Sequence, residues 1–144
     1  MISRVLLGYD GSPAAFDACR FAADLARRYE AELHILAVAR PPEFGTEVET
    51  GELIEQGKRH CAQLLMELQA RLGEGELSTS FEVAVGHPAE QILLCAERLR
   101  ADHIVVGHRG HTLFTRWLLG SVARQVIAHA PCAVTVVRAK EPHA

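Results

Sequence analysis

The sequence has no acidic residue between His103 and Lys140, although the 144-residue chain carries 18 Asp and Glu against 15 Lys and Arg. The basic residues of the same segment are Arg109, Arg116, Arg124, Arg138 and Lys140. Carboxylates near a bound phosphate would weaken its binding, so this asymmetry indicates an anionic ligand. The alternative is that buried strands and a short helix leave few surface positions, and acidic residues are missing by chance.

Long apolar runs are also missing. No stretch approaches the ~18–20 apolar residues that a membrane-spanning helix needs. The first residues lack the basic region and long apolar stretch of a secretory signal, so we expect a cytoplasmic protein without membrane insertion. The sequence pI is about 6.2 and no basic block is present, so nucleic-acid binding is not expected.

The cysteines are few and widely spaced, and no CxxC pair occurs. They are Cys19, Cys61, Cys95 and Cys132. The first three fall on apolar faces of predicted helices. This pattern predicts buried thiols in a reducing compartment rather than disulfides or zinc ligands.

Strand-like and helix-like patterns alternate along the chain. Apolar or alternating runs predict strands at 5–7, 33–38, 78–85, 104–106 and 133–137. Helical periodicity predicts helices beginning at Ser12-Pro13, from about 53 to 72, after 86–88, and over 121–129. Residues 40–52 show no periodicity and are predicted to form a loop. The order β-α-β-α-β-α-β-α-β favours one α/β domain with a parallel sheet and helices on both faces.

A glycine-punctuated segment, with Gly107 and Gly110 followed by Gly120-Ser121, connects the fourth strand to the fourth helix. Glycines allow backbone to approach phosphate oxygens, and the free N–H groups of a helix N-terminus attract anions. This segment is neither a Walker A loop nor a dinucleotide GxGxxG motif. If the first and fourth strands are central neighbours, Asp10 and Gly107 face one crevice. Asp10 has an alternative role, as a turn former with Gly11.

Three stretches resemble the nucleotide-binding branch of the universal stress protein family, of the UspA type. They are the first strand with Tyr9-Asp10-Gly11-Ser12, the segment 86–107, and the G-x2-G-x9-G-[ST] pattern beginning at Gly107. The resemblance covers essentially the whole chain. It implies a single universal stress protein domain over residues 1–144. It also implies a three-layer α/β fold, with a five-stranded parallel sheet in the order 3-2-1-4-5, of the adenine nucleotide alpha hydrolase-like type.

The resemblance also implies ATP or another adenine nucleotide as ligand, with Mg²⁺ as the default metal. Asp10 would bind polar groups of the nucleoside, and Val38 and Val106 would line the adenine pocket. The residues that would meet the phosphates are Gly107, Gly110, Gly120, Ser121 and Val122. From the residues alone we add Arg109, a cation at the loop tip that could pair with phosphate or remain solvated.

Some residues depart from the family pattern or have competing interpretations. Tyr9 replaces a small or aliphatic residue and could alter the pocket or stack on the base. Cys132-Ala133 replaces the usual Cys-Pro before the last strand. His108 and His111 could ligate a metal, but solvated loop residues are the favoured interpretation. Trp117 could pack in the core or form a partner surface.

No catalytic constellation is visible, so the favoured function is a regulatory ATP-binding module that hydrolyses ATP slowly or not at all and acts on an unknown protein partner. A ligand-free dimeric scaffold is the alternative. An adenylating enzyme is disfavoured because Asp10-Gly11-Ser12-Pro13 lacks the Ser-Gly-Gly-x-Asp-Ser pattern. The last strand, 133–137, has no Pro or charge and is predicted to lie at a sheet edge, which invites pairing with a second copy. The resemblance implies a homodimer through this strand.

Overall fold

The computed structural model describes residues 1–108 and 119–139. Strands and helices alternate along the described chain, as the sequence pattern predicts. In chain order they are β1 (Arg4–Gly8), α1 (Pro13–Tyr29), β2 (Glu32–Ala39), α2 (Glu47–Leu72), β3 (Thr79–Val85), α3 (Pro88–Leu99), β4 (His103–His108), α4 (Ser121–His129) and β5 (Ala133–Arg138).

The five strands form one parallel sheet in the order β3-β2-β1-β4-β5, which confirms the predicted order. Leu6 pairs with Ile104 of β4, and Leu7 pairs with Ile35 of β2. The chain therefore leaves β1 towards β2 and later returns to the other side of β1. The boundary between β1 and β4 is the point where the strand order reverses, and β3 and β5 are the edges.

One face of the sheet packs against α1 and α2. The α1 contribution is a row of buried alanines with Cys19, which brings the helix close to the strands. Ser12 caps α1, because its side chain accepts a hydrogen bond from the Ala15 N–H, and Pro13 occupies the first turn. From α2, Cys61, Leu65 and Leu68 are buried against the sheet.

The opposite face packs against α3 and α4. Its buried cluster includes Leu6, Leu36, Ile92, Ile104 and Val126. Apolar side chains therefore cover the sheet on both faces, which explains the continuous apolar runs of β1 and β4. The predicted three-layer arrangement is confirmed.

The predicted start of the second helix is wrong by about six residues. Residues 47–52 were assigned to a loop, but α2 begins at Glu47. Thr46 and Glu49 form a capping box: the Thr46 side chain accepts from the Glu49 N–H, and the Glu49 carboxylate accepts from the Thr46 N–H. Gly51 and three glutamates leave this segment with little apolar periodicity, which concealed the helix.

Gly107 and His108 also differ from the sequence prediction, since both belong to β4 rather than to a loop. His108 was favoured as a solvated residue, but it is only 5% exposed. Neither of its ring nitrogens has a hydrogen-bond partner among the residues that the structure describes. Arg109, Gly110, His111 and Trp117 lie outside the described residues. Within the described chain, no helix is long and apolar enough to cross a membrane.

Candidate functional site

A cavity of ≈ 590 Å³ opens at the carboxyl ends of β1, β2 and β4. Its floor and walls come from three strand ends and from the first turns of α3 and α4. The lining residues are Gly8, Tyr9, Asp10, Ala15, Leu36, Val38, Arg40, Pro88, Ile92, Val106, Gly107, Gly120, Ser121, Val122 and Ala123. This is the place where an open parallel sheet binds ligands, next to the reversal of strand order.

Seven of the nine residues predicted from the sequence line this cavity, although they are far apart in the chain. They are Asp10, Val38, Val106, Gly107, Gly120, Ser121 and Val122. The other two, Arg109 and Gly110, are outside the described residues. The roles of these residues towards a ligand stay predictions.

Asp10 forms the turn that connects β1 to α1. Its Oδ1 accepts a hydrogen bond from the Ser12 N–H at 3.0 Å, and Gly11 has a φ of +81° that favours glycine. The interpretation of Asp10 as a turn former is therefore supported. Asp10 is also exposed and lines the cavity, so the same carboxylate faces the space that a ligand would fill.

The N-terminus of α4 faces the cavity without a side-chain cap. Gly120 is the N-cap residue, and because it has no side chain it gives the first turn no capping hydrogen bond. The cavity is also lined by Ser121, Val122 and Ala123 of that turn. Unsatisfied N–H groups and the helix dipole make such a terminus attractive to an anion.

Gly107 has a packing role in addition to its position in the cavity. A Cβ at Gly107 would lie 2.7 Å from the carbonyl carbon of Ala14 and 2.8 Å from the Ala15 nitrogen. The absence of a side chain therefore lets α1 approach β4. Gly8 differs, since a Cβ there would lie 2.8 Å from Cδ1 of Ile92, the end of a flexible side chain that can shift.

Tyr9 lines the cavity, but its side chain belongs to the buried cluster under α1 and α2. It is 7% exposed, and burial is the main cause that raises the pKa of its hydroxyl. Gly8 and Val106 face the α3 side of the sheet, whereas Tyr9 packs on the other side. Tyr9 therefore contributes to the core as well as to the cavity lining.

Several lining residues were not predicted from the sequence. Leu36, Pro88 and Ile92 form part of the apolar cavity wall. Arg40 adds an exposed cation directly after β2. Arg40 could have been found, since it follows a predicted strand at the same sheet edge as Asp10.

Known proteins resemble this chain over nearly its full length. The model of the universal stress protein family matches residues 1–138. A universal stress protein of Methanocaldococcus jannaschii is 34% identical over 141 residues, covering 96% of this chain and 83% of that protein.

Solved structures agree with the fold. The universal stress protein UspA from Lactobacillus plantarum is 27% identical, with a TM-score of 0.84 over 95% of this chain and 98% of that chain. A universal stress protein in complex with cAMP is 24% identical, with a TM-score of 0.74 over 96% of this chain and 99% of that chain. At 24% identity the second likeness concerns the fold alone.

Proposed function

Because the chain belongs to the universal stress protein family, we propose that its cavity binds an adenine nucleotide, with ATP preferred. The observation that carries the proposal is the position of a helix N-terminus with a glycine N-cap next to an apolar wall, within one cavity at the reversal of strand order. An adenine ring needs the apolar wall, and phosphates need the N–H groups.

The cavity suits a nucleotide in size and in chemistry. Its volume of ≈ 590 Å³ falls within the range of about 300–1,000 Å³ that is usual for small-molecule sites. Asp10 is the only carboxylate among the described lining residues, and Arg40 is the only guanidinium. A polyanion therefore meets little repulsion there. A cAMP-bound protein of the same fold is consistent with such a ligand.

In the proposed complex, Val38 and Val106 contact the base and Asp10 binds a ribose hydroxyl. The amides of Gly120, Ser121 and Val122 bind phosphate oxygens, as do those of Gly107 and Gly110. Arg40 and Arg109 supply positive charge. A Mg²⁺ ion fits this set if phosphate and water provide most of its ligands, since the described lining offers one carboxylate.

The proposed role is regulatory, in a stress response. Among the described lining residues, Asp10 is the only side chain that could act as a general base, and it is already engaged in a turn. We therefore expect slow ATP hydrolysis or none. The proposal includes a cytoplasmic homodimer through residues 133–137, whose contacts with a protein partner change when nucleotide binds.

The first test is the nucleotide content of the protein. Purified protein is denatured, and the supernatant is analysed for adenine nucleotides. Nucleotide-free protein is then titrated with ATP, ADP, AMP and cAMP, with and without Mg²⁺. If no adenine nucleotide co-purifies and none binds to the nucleotide-free protein, the proposal is rejected.

A substitution locates the binding site. Val38→Phe fills the proposed base pocket and should weaken nucleotide binding at least about 10-fold, because overpacked apolar space excludes the ring. Val48→Phe is the matched control, since Val48 is 72% exposed on α2, away from the cavity. Equal affinities for both variants would place the nucleotide elsewhere.

A further inference from the structure

A polar cluster lies between β2, β3 and α3, on the sheet face that also carries the cavity. It comprises His34 of β2, Glu82 of β3 and Cys95 of α3, and none of the three lines the cavity. His34 Nε2 lies 2.8 Å from Glu82 Oε1, and Cys95 Sγ lies 3.9 Å from the same oxygen. The cluster is therefore a separate feature of the molecule.

The three ligand atoms are an imidazole nitrogen, a carboxylate oxygen and a sulfur, and they all lie within 4.8 Å of one another. This is a donor set that Zn²⁺ prefers. We propose that His34, Glu82 and Cys95 form a binding site for Zn²⁺ or a similar divalent transition metal. The proposal is independent of nucleotide binding.

The two separations from Glu82 Oε1 differ by about 0.5 Å or less from those of a tetrahedral zinc site. Zn²⁺ binds nitrogen and oxygen at about 2.0–2.2 Å and sulfur at about 2.3 Å, which places ligand atoms roughly 3.3–3.7 Å apart. The separations of 2.8 Å and 3.9 Å lie on either side of that range. Cys95 is 4% exposed and the side chains of His34 and Glu82 are 17% and 28% exposed, so a water molecule can reach the fourth position.

His34 is already held in the orientation that a ligand needs. Its Nδ1 lies 2.6 Å from the hydroxyl of Ser80, two residues before Glu82 on β3. In the metal-free protein Nε2–H donates to the Glu82 carboxylate, and a neutral ring then accepts at Nδ1 from the Ser80 hydroxyl. In the metal complex the ring proton is on Nδ1, where it donates to Ser80 Oγ, and Nε2 offers its lone pair to the metal. Metal-bound histidines usually have such a partner on the other nitrogen.

In the metal-free protein, the guanidinium of Arg98 occupies the place that the metal ion would take. Its Nη2 lies 2.5 Å from Glu82 Oε1 and 3.3 Å from Cys95 Sγ. The Arg98 side chain is 57% exposed, so it can move into solvent. Metal binding then replaces the guanidinium: the Cys95 thiol loses its proton to solvent, and the thiolate sulfur donates an electron pair to the metal.

The sequence did not predict this site because its ligands are far apart in the chain. His34 and Glu82 are separated by 48 residues, and Glu82 and Cys95 by 13. Only the pairing of β2 with β3, with α3 packed above, brings them together. A bound metal would connect the edge strand to the helix and should raise the unfolding temperature of the protein.

Cobalt is a suitable probe, because thiolate-bound Co²⁺ shows a sulfur-to-metal charge-transfer band that oxygen and nitrogen ligands do not produce. Reduced full-length protein is titrated with Co²⁺, and Zn²⁺ is then added. We expect one equivalent of Co²⁺ to produce the band and Zn²⁺ to abolish it by displacement. Absence of the band would overturn the proposal.

Variants identify the ligands. Cys95→Ser and His34→Gln should each abolish or strongly weaken the Co²⁺ signal, and circular dichroism checks that each variant is folded. Cys132→Ser removes a free thiol outside the cluster and should leave the signal unchanged. Loss of the signal in Cys132→Ser, or its persistence in Cys95→Ser, would show that the metal binds elsewhere and would overturn the proposal.

Arg98→Gln tests the competition directly. Removing a positive charge beside both Glu82 and Cys95 should tighten Co²⁺ binding by at least about 10-fold. A merely structural guanidinium would not produce tighter binding when removed. Unchanged or weaker Co²⁺ affinity in this variant would contradict the assignment of the cluster as a metal site.

Discussion

At the residue scale, two glycines of the cavity have different surroundings. A Cβ at Gly107 would lie within 2.8 Å of α1 backbone, whereas a Cβ at Gly120 would meet no atom of the described residues within 4 Å. We predict that Gly107→Ala destabilises the protein by about 1–3 kcal/mol, because helix or strand must shift. We predict that Gly120→Ala changes stability by less than about 0.5 kcal/mol. Urea unfolding of both variants measures the difference.

The two variants should also differ in ligand binding. A methyl group at Gly120 would lie beside the α4 N-terminus and meet no described atom, so it should weaken nucleotide binding while the fold stays intact. Equal stability of Gly107→Ala and the unsubstituted protein would show that α1 is not tightly packed on β4. The sequence predicts that both glycines meet the phosphates. Only their neighbours in the folded protein distinguish the two.

At the scale of elements, strands and helices with strong apolar periodicity were predictable. The runs around Leu6, Ile35 and Val105 mark buried strands, and the Ser12-Pro13 pair marks the start of α1. The start of α2 was missed because its first turns are exposed and acidic. The capping box at Thr46 and Glu49 was the available signal, since S/T-x-x-E identifies a helix N-terminus without apolar periodicity.

Substitutions at the start of α2 test that boundary. Gly51 is exposed, lies inside the helix and has space for a Cβ, so Gly51→Ala should stabilise the protein by about 0.5–1 kcal/mol. Thr46→Ala removes a cap and should destabilise it by about 1 kcal/mol. Thermal unfolding measures both. A loop over these residues would give almost no change in either variant.

Asp102 connects the start of β1 to the turn between α3 and β4. Its Oδ2 accepts from the Ser3 N–H at 2.7 Å and from the Arg4 N–H at 2.9 Å. These two hydrogen bonds lower the pKa of Asp102 from its usual value. The stability that they contribute is therefore fully present above the unfolded-state pKa of about 3.9, and is lost as the pH falls through the folded-state pKa.

The pH dependence of Asp102→Asn tests this connection. At neutral pH the variant should be less stable by about 1 kcal/mol, because an amide accepts more weakly than a carboxylate and supplies a mismatched donor. The difference should shrink as the pH falls below about 4. Asp24→Asn is the control, since its exposed pair with Arg28 contributes only about 0.3–0.5 kcal/mol. Denaturant titrations across the pH series would contradict the assignment if the difference did not vary.

At the scale of the whole molecule, the order of the strands determines which residues could be predicted from the sequence to lie together. Residues that follow strands were predicted to meet, and Asp10, Val38 and Gly107 do line one cavity. Contacts between side chains of different elements could not be predicted in this way. The cluster of His34, Glu82 and Cys95 depends on the relative position of β2, β3 and α3.

The edge position of β5 leads to a prediction about assembly. Within the described chain β5 pairs with β4 alone, and its residues from 134 to 137 are only partly buried. If a second copy pairs with this edge about a two-fold axis, the middles of the two strands come close to each other. We expect twice the chain mass in sedimentation or light scattering at micromolar concentration.

A charge in the middle of β5 should disrupt this dimer. Thr135→Lys would place two ammonium groups near each other across the axis, and like charges opposite one another destabilise strand pairs. Thr135→Val is the matched control, because it also removes the 2.7 Å contact between His103 Nε2 and Thr135 Oγ1 but adds no charge. We predict a monomer for Thr135→Lys and a dimer for Thr135→Val. A dimer that persists in Thr135→Lys, with unchanged affinity, would show that the two chains associate through another surface.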